Sequence, residues 1–304
     1  MSPGHKFALK WLAAIAITGA FVVWVELALG WRAVLAPLAH ISASALALAL
    51  AGLFASYGLR AWRVQVHFAL PRHFLPLLRL TLMHNALNNL LPARTGEAAF
   101  PWLMGRYFGT PLAESVGGLA WLRLLDLAML CALAVLWTLP LPWPLATALA
   151  AACLLGPSLA VRLLHAAAAH GKGRHAIFDW LSKMAISLPR DRRRVATAWL
   201  LTAINWIAKL FVLAWFIRTL LPLDWPLASA GIVGGEISSI LPVHGIAGLG
   251  TYEAGVAIAL LPTGTAAGDV IRAAVALHAV LLLSSVSSAL LALALPLPDS
   301  TALK

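Results

Sequence analysis

The sequence predicts an all-α polytopic membrane fold, with about six full transmembrane helices and two re-entrant broken-helix hairpins in an inverted repeat. Three observations predict it. Of 304 residues, 62% are hydrophobic and only 11% charged, with a mean hydropathy of +0.88, whereas soluble domains lie nearer half apolar and a quarter charged. Apolar runs recur at the roughly 20-residue length that crosses a bilayer as a helix. Two further apolar stretches are interrupted by Pro and Gly, and irregular backbone at membrane depth is tolerated only where protein buries it or it lines a cavity.

The spans run Phe7–Leu29, Ile41–Leu59, Ala113–Leu139, Pro142–Leu164, Val195–Leu221 and Gly268–Leu295. The first follows a basic N-terminus, as a signal peptide does. It has no small-residue cleavage site near Gly30 and is long enough to span, so it reads as a retained helix. Phe74–Leu103 is broken at Pro92 and Gly96, and Trp225–Leu261 at Pro242, Gly245, Gly248 and Gly250. Each reads as two half-helices.

Net charge is +11, yet Lys and Arg gather at the ends of apolar runs, as topology-setting charges do, so no nucleic-acid partner is expected. The loop His165–Arg194 carries Lys172, Arg174, Lys183, Arg190, Arg192, Arg193 and Arg194, which predicts a cytoplasmic segment. Counting outward places both termini and the Arg60–Arg79 region on that side, and the Leu139–Pro144 turn on the other. The two broken segments then enter from opposite faces, as in an inverted repeat with its substrate site near the midplane. Within the loop, Ile177–Leu188 reads as a solvated connector or as a short amphipathic helix on the inner leaflet. Residues 1–304 thus form one domain, with the 165–194 loop between its halves.

Candidate site residues cluster at the breaks. His84, Asn85, Asn88 and Asn89 share one helical face. They read as a polar cavity wall, or as interhelical hydrogen bonds of about 0.6–2 kcal/mol each. Arg94 offers a planar donor fork suited to phosphate. Pro92 ends the incoming helix, and Glu97 orients Arg94 or opens the next half-helix. A simple Arg94–Glu97 pair closing the turn is the alternative. At the second break, Gly248 and Gly250 allow close approach and leave amide donors free. Glu253 suits a helix N-terminus, or serves with Glu236 as partner to a basic headgroup or to Arg94.

Two spans carry charges at depth. Arg123 and Asp126, spaced i,i+3, cost about 5–7 kcal/mol together to insert, which predicts that they neutralise each other, as a structural ion pair, or meet other partners. Lys209 stands near the middle of its span, one turn after Asn205, and is expected to face the bundle interior or a wet cavity. Cys131 and Cys153 lie in apolar runs without a Cys-x-x-Cys and read as inert thiols. The chain has no GxxxxGK[ST], HExxH or CxxC motif, so no metal, cofactor or ATP chemistry is expected.

At these motifs the chain resembles the lysylphosphatidylglycerol synthase transmembrane-region family, the flippase-like part of the multiple-peptide-resistance-factor proteins. The resemblance rests on Asn88-Asn89-Leu90-Leu91-Pro92-Ala93-Arg94-Thr95-Gly96-Glu97 and on Arg123-Leu124-Leu125-Asp126 in the following span. A later Pro242 and Ala247-Gly248-Leu249-Gly250-Thr251-Tyr252-Glu253 complete it. It covers about residues 41–295 and departs at Ala247, where the family usually has Gly.

The resemblance implies a bacterial inner-membrane lipid translocase, not an enzyme, that moves an anionic or isoprenoid-type phospholipid between leaflets. Arg94 would hold the phosphate, and Asn88 and Asn89 would solvate it. Glu97, Glu236 and Glu253 would set the charge balance, and Lys209 would complete an anionic-headgroup site. Transport would be equilibrative or coupled to an ion gradient, protons included. Full-length relatives append an aminoacyl-transferase domain. A chain ending soon after its last span is expected to lack it. A homo-oligomer or envelope-biosynthesis partner proteins would fit. The alternatives are a non-transporting membrane subunit of a cell-envelope lipid pathway and an integral-membrane lipid-modifying transferase.

Overall fold

The computed structural model describes residues 3–70, 73–91, 96–171, 188, 191–240 and 245–297. Among these residues it contains eleven α-helices and no strand. Six helices carry stretches long and apolar enough to cross a membrane: Trp11–Ala28, Ala43–His67, Leu112–Thr138, Trp143–Ala166, Arg192–Arg218 and Ala267–Ala294. We label the helices that hold them α1 (Pro3–Ala28), α3 (Ala43–His67), α6 (Leu112–Thr138), α7 (Trp143–Gly171), α8 (Arg192–Arg218) and α11 (Ala267–Ala294). These match the expected spans closely, with one consequential difference. The second runs on to His67 instead of ending at Leu59, which puts Arg60 and Arg63 on the helix.

The two interrupted stretches are pairs of shorter helices: α4 (Phe74–Leu90) with α5 (Ala99–Phe108), and α9 (Trp225–Ile240) with α10 (Thr251–Leu260). At 1.5 Å per residue, α4 and α9 reach about 24–26 Å and α5 and α10 about 15 Å, against roughly 30 Å of hydrocarbon. No one of the four crosses by itself. Pro92, Arg94 and Pro242 lie outside the described residues.

Two expectations change. Residues 30–40, unassigned between spans, hold the short helix α2 (Trp31–Ala39). It follows Gly30 at φ +76°, and the Glu26 carboxylate accepts the Trp31 N–H at 3.1 Å. The stretch read as a loop at His165–Arg194 is helical at both ends, because α7 continues to Gly171 and α8 begins at Arg192. The Ile177–Leu188 segment lies outside the described residues except for Leu188, which is buried in an apolar cluster.

The chain forms two compact units. One comprises residues 1–55, 85–96 and 208–290; the other comprises residues 56–84, 97–207 and 291–304. In the first, α9 and α10 make an antiparallel hairpin. Gly231 faces Leu260, Gly234 faces Gly255 and Gly235 faces Tyr252, so the numbers rise on one helix as they fall on the other. A Cβ at Gly234 would lie 2.3 Å from the Gly255 carbonyl oxygen, and one at Gly255 would lie 2.4 Å from that of Gly234. Small residues let membrane helices bring their backbones this close. The turn before α10 docks on α1, where Thr18 Oγ1 accepts the Ile246 N–H at 2.7 Å. At the other break, a Cβ on Gly96 would lie 2.4 Å from the Asn88 backbone nitrogen. The returning chain therefore lies directly on α4, where only Gly fits.

The second unit has a core of Val64 from α3, Leu77 and Leu80 from α4, Phe100, Leu103, Met104 and Phe108 from α5, and Trp121, Leu122 and Leu125 from α6. Gly109, left-handed at φ +66°, ends α5 and donates its N–H to the Gly105 carbonyl. That turn lets α6 start after Pro111 and presents Arg123 and Asp126 on its inner face.

Candidate functional site

In the second unit the cluster is built around Asp126, near the middle of α6. Its carboxylate accepts both terminal nitrogens of Arg63, at 2.6 and 2.9 Å, and the Trp206 Nε1–H at 3.0 Å. Arg63 donates a further bond of 2.7 Å to Thr202 Oγ1. Both charged side chains are buried. A bidentate pair with further hydrogen bonds to each partner is the form in which two charges survive burial, although Arg63 Nε has no hydrogen-bond partner among the described residues.

Arg123 is accordingly not the chief partner of Asp126, as its i,i+3 spacing predicted. That contact exists at 3.7 Å, but the guanidinium turns to Glu97 at 3.0 Å and to His84 Nε2 at 3.1 Å. Arginine has no acceptor, so His84 Nε2 accepts and that ring takes the Nδ1–H tautomer. Arg123 and Glu97 keep 31% and 27% of their side-chain surface. A guanidinium in mid-span, held by a carboxylate and an imidazole yet part-exposed, is poised to take a bidentate anion.

The first unit holds a second cluster. Lys209 on α8 donates to Glu236 on α9 at 2.7 Å, with both side chains buried. Glu253, in the first turn of α10, accepts the Gly250 N–H through Oε2 at 2.8 Å, and its Oε1 lies 2.7 Å from His278 Nδ1 on α11. Glu253 thus does what an acid at a helix N-terminus is expected to do, capping its own helix. Lys209 and Glu236, candidates on separate grounds, meet each other.

Gly248 and Gly250 need φ of +79° and +86°, but their amides are not free. Gly248 donates to the Gly245 carbonyl and Gly250 to Glu253. Ala247 sits at φ +53°, ψ +22°, a left-handed conformation that costs a residue with a Cβ about 1–2 kcal/mol. Ala247, where the resemblance leads one to expect Gly, therefore sits where the backbone asks for Gly. Ala247→Gly is expected to raise stability by about 1 kcal/mol, read as a higher unfolding midpoint in detergent.

Of the amide face on α4, Asn89 donates to Ser285 Oγ of α11 at 2.9 Å. Asn85 Nδ2 and Asn88 Oδ1 are buried and without a hydrogen-bond partner among the described residues. One amide thus ties helices together, and two keep groups to offer.

Sequence reasoning missed Arg63 and His278. Arg63 falls in the Arg60–Arg79 region read as marking the membrane border, although a mid-span Asp126 open to partners beyond Arg123 leaves room for a second cation. His278 stands alone near the centre of the last apolar span, as visible a signal as Lys209.

No curated protein and no solved structure matches the chain. A family model does, over residues 11–287, beginning well ahead of the first motif. The chain is therefore a multi-pass membrane protein of a lipid-related pathway and belongs to the family described as the lysylphosphatidylglycerol synthase TM region.

Proposed function

We propose that this protein moves an anionic or isoprenoid-type phospholipid between the leaflets of the bacterial inner membrane, as a translocase and not a transferase, with both termini cytoplasmic. The observation that carries the reading is Arg123. A charged side chain in mid-span costs about 2.5–3.5 kcal/mol to insert and by default marks a pathway for substrate or ions. The buried Arg63–Asp126 pair beside it is neutral by itself, so Arg123 is not needed to balance Asp126. Glu97 and His84 orient its guanidinium, which is the preorganisation a phosphate site needs. Arg94 keeps a proposed role as phosphate ligand on its sequence setting alone, between Pro92 and Glu97.

The test is transfer of a fluorescent phosphatidylglycerol across proteoliposome leaflets, alongside mass spectrometry of lipids that co-purify. Losing one hydrogen bond to a charged group, about 1.5–3 kcal/mol, slows a step about 10–100-fold. Arg94→Ala and Arg123→Ala are each expected to slow transfer by that factor while unfolding normally. Wild-type rates in both would refute the site.

A further inference from the structure

We propose that Glu253 and His278 form a proton-binding site whose loading is coupled to the lipid movement proposed above. The inference rests on that reading for its coupling, but the proton site stands on its own geometry. Glu253 has no solvent exposure and His278 is 5% exposed. The carboxylate and imidazole meet at 2.7 Å, and the second carboxylate oxygen is engaged by the Gly250 N–H. With the imidazole neutral and its Nδ1–H shared with Glu253, the pair carries one negative charge. One further proton, taken at the other ring nitrogen, makes an imidazolium beside a carboxylate and a net charge of zero.

The surroundings make this step decisive. Helix α9 contributes Glu236, neutralised by Lys209 of α8 at 2.7 Å. Helix α10 contributes Tyr252, whose ring lies 4.8 Å from the His278 ring. Helix α1 brings the uncharged Thr18, Ile17 and Phe21 to the neighbouring turn. Among these groups the Glu253–His278 pair alone is left to change the net charge of the cluster. An unbalanced charge away from water costs several kcal/mol, so binding and releasing one proton carries a large free-energy difference between states.

Two features exceed what a structural ion pair requires. The Tyr252 hydroxyl is buried and has no hydrogen-bond partner among the described residues. Its ring runs from His278 to Gly235, where a Cβ would sit 2.7 Å from Tyr252 Cζ. An orphaned buried hydroxyl in a native site asks for a missing partner, such as water or an ion. Gly248 lies against the other edge of the imidazole, where an added Cβ would be 3.4 Å from both Cε1 and Nε2. Because Gly248 has no side chain, the outer nitrogen of His278 adjoins the half-buried 246–250 turn, which gives a proton a way in.

The experiment uses the full chain in phosphatidylcholine vesicles carrying a trace of fluorescent phosphatidylglycerol. For one proton per lipid, a gradient of about one pH unit shifts the steady-state leaflet ratio of the tracer about tenfold. His278→Gln and His278→Asn are expected to abolish the shift. In parallel, nitrogen-15 spectra of histidine-labelled protein should show a pH-responsive imidazole signal assigned to His278 by its absence in both variants, and displaced in Glu253→Gln. Tracer movement in the wild type without a gradient-driven shift overturns the coupling, and an imidazole that never titrates overturns the site. A titrating His278 in a protein that moves no tracer supports the site and refutes the translocase reading instead.

Discussion

Asp126→Ala should lower the unfolding free energy by about 3–5 kcal/mol, the cost of stranding a buried charge. The carboxylate balances Arg63 at 2.6 and 2.9 Å, holds the Trp206 indole N–H and lies 3.7 Å from Arg123. Its loss leaves Arg63 with Thr202 as its surviving bonded partner. Arg63→Ala should cost less, because Asp126 keeps Trp206 and has Arg123 within reach to take over. The double variant Arg63→Met with Asp126→Leu should recover most of the loss, since apolar residues of similar volume often replace a buried pair at little or no cost. Unfolding in bicelles or mixed micelles measures all three. A double variant as unstable as Asp126→Ala would show that the carboxylate's role is not charge balance.

Lys209→Met should cost a similar 3–5 kcal/mol by leaving Glu236 unpaired in the interior of its unit. The 2.7 Å bond joins two buried side chains, so raising salt should leave the effect unchanged, unlike that of an exposed pair. The swap Lys209→Glu with Glu236→Lys tests the interaction itself. It should restore part of the stability that either single change removes, and a swap worse than the sum of its singles would exclude direct pairing. If lipid transfer falls in Lys209→Met far beyond what its reduced folded fraction explains, Lys209 also touches the anionic headgroup.

How much was legible in advance follows from the range of the interactions involved. Six spans and two interrupted stretches could be read because hydropathy, span length and helix-breaking residues act over a few neighbouring positions. The i,i+3 spacing of Arg123 and Asp126 likewise put both on one face of α6, as observed. Their pairing was misjudged because a mid-helix carboxylate is shared among several helices. Arg63 lies 63 residues before Asp126 and Trp206 lies 80 after it. Sequence spacing has no term for such meetings. The same limit hid the Glu253–His278 contact across 25 residues and the Lys209–Glu236 contact across 27.

The sequence alone determined the class of this protein and the places where its function had to be sought. An oily chain must form helices in lipid, and its few Pro, Gly and charged residues mark where that rule is broken. Only the tertiary structure decided which charge answers which. It gave Arg63 to Asp126, turned Arg123 toward Glu97 and His84, joined Lys209 to Glu236 and placed His278 on Glu253. The reason is electrostatic: a buried charge must find a partner, and in a bundle that partner comes from another helix, chosen by packing.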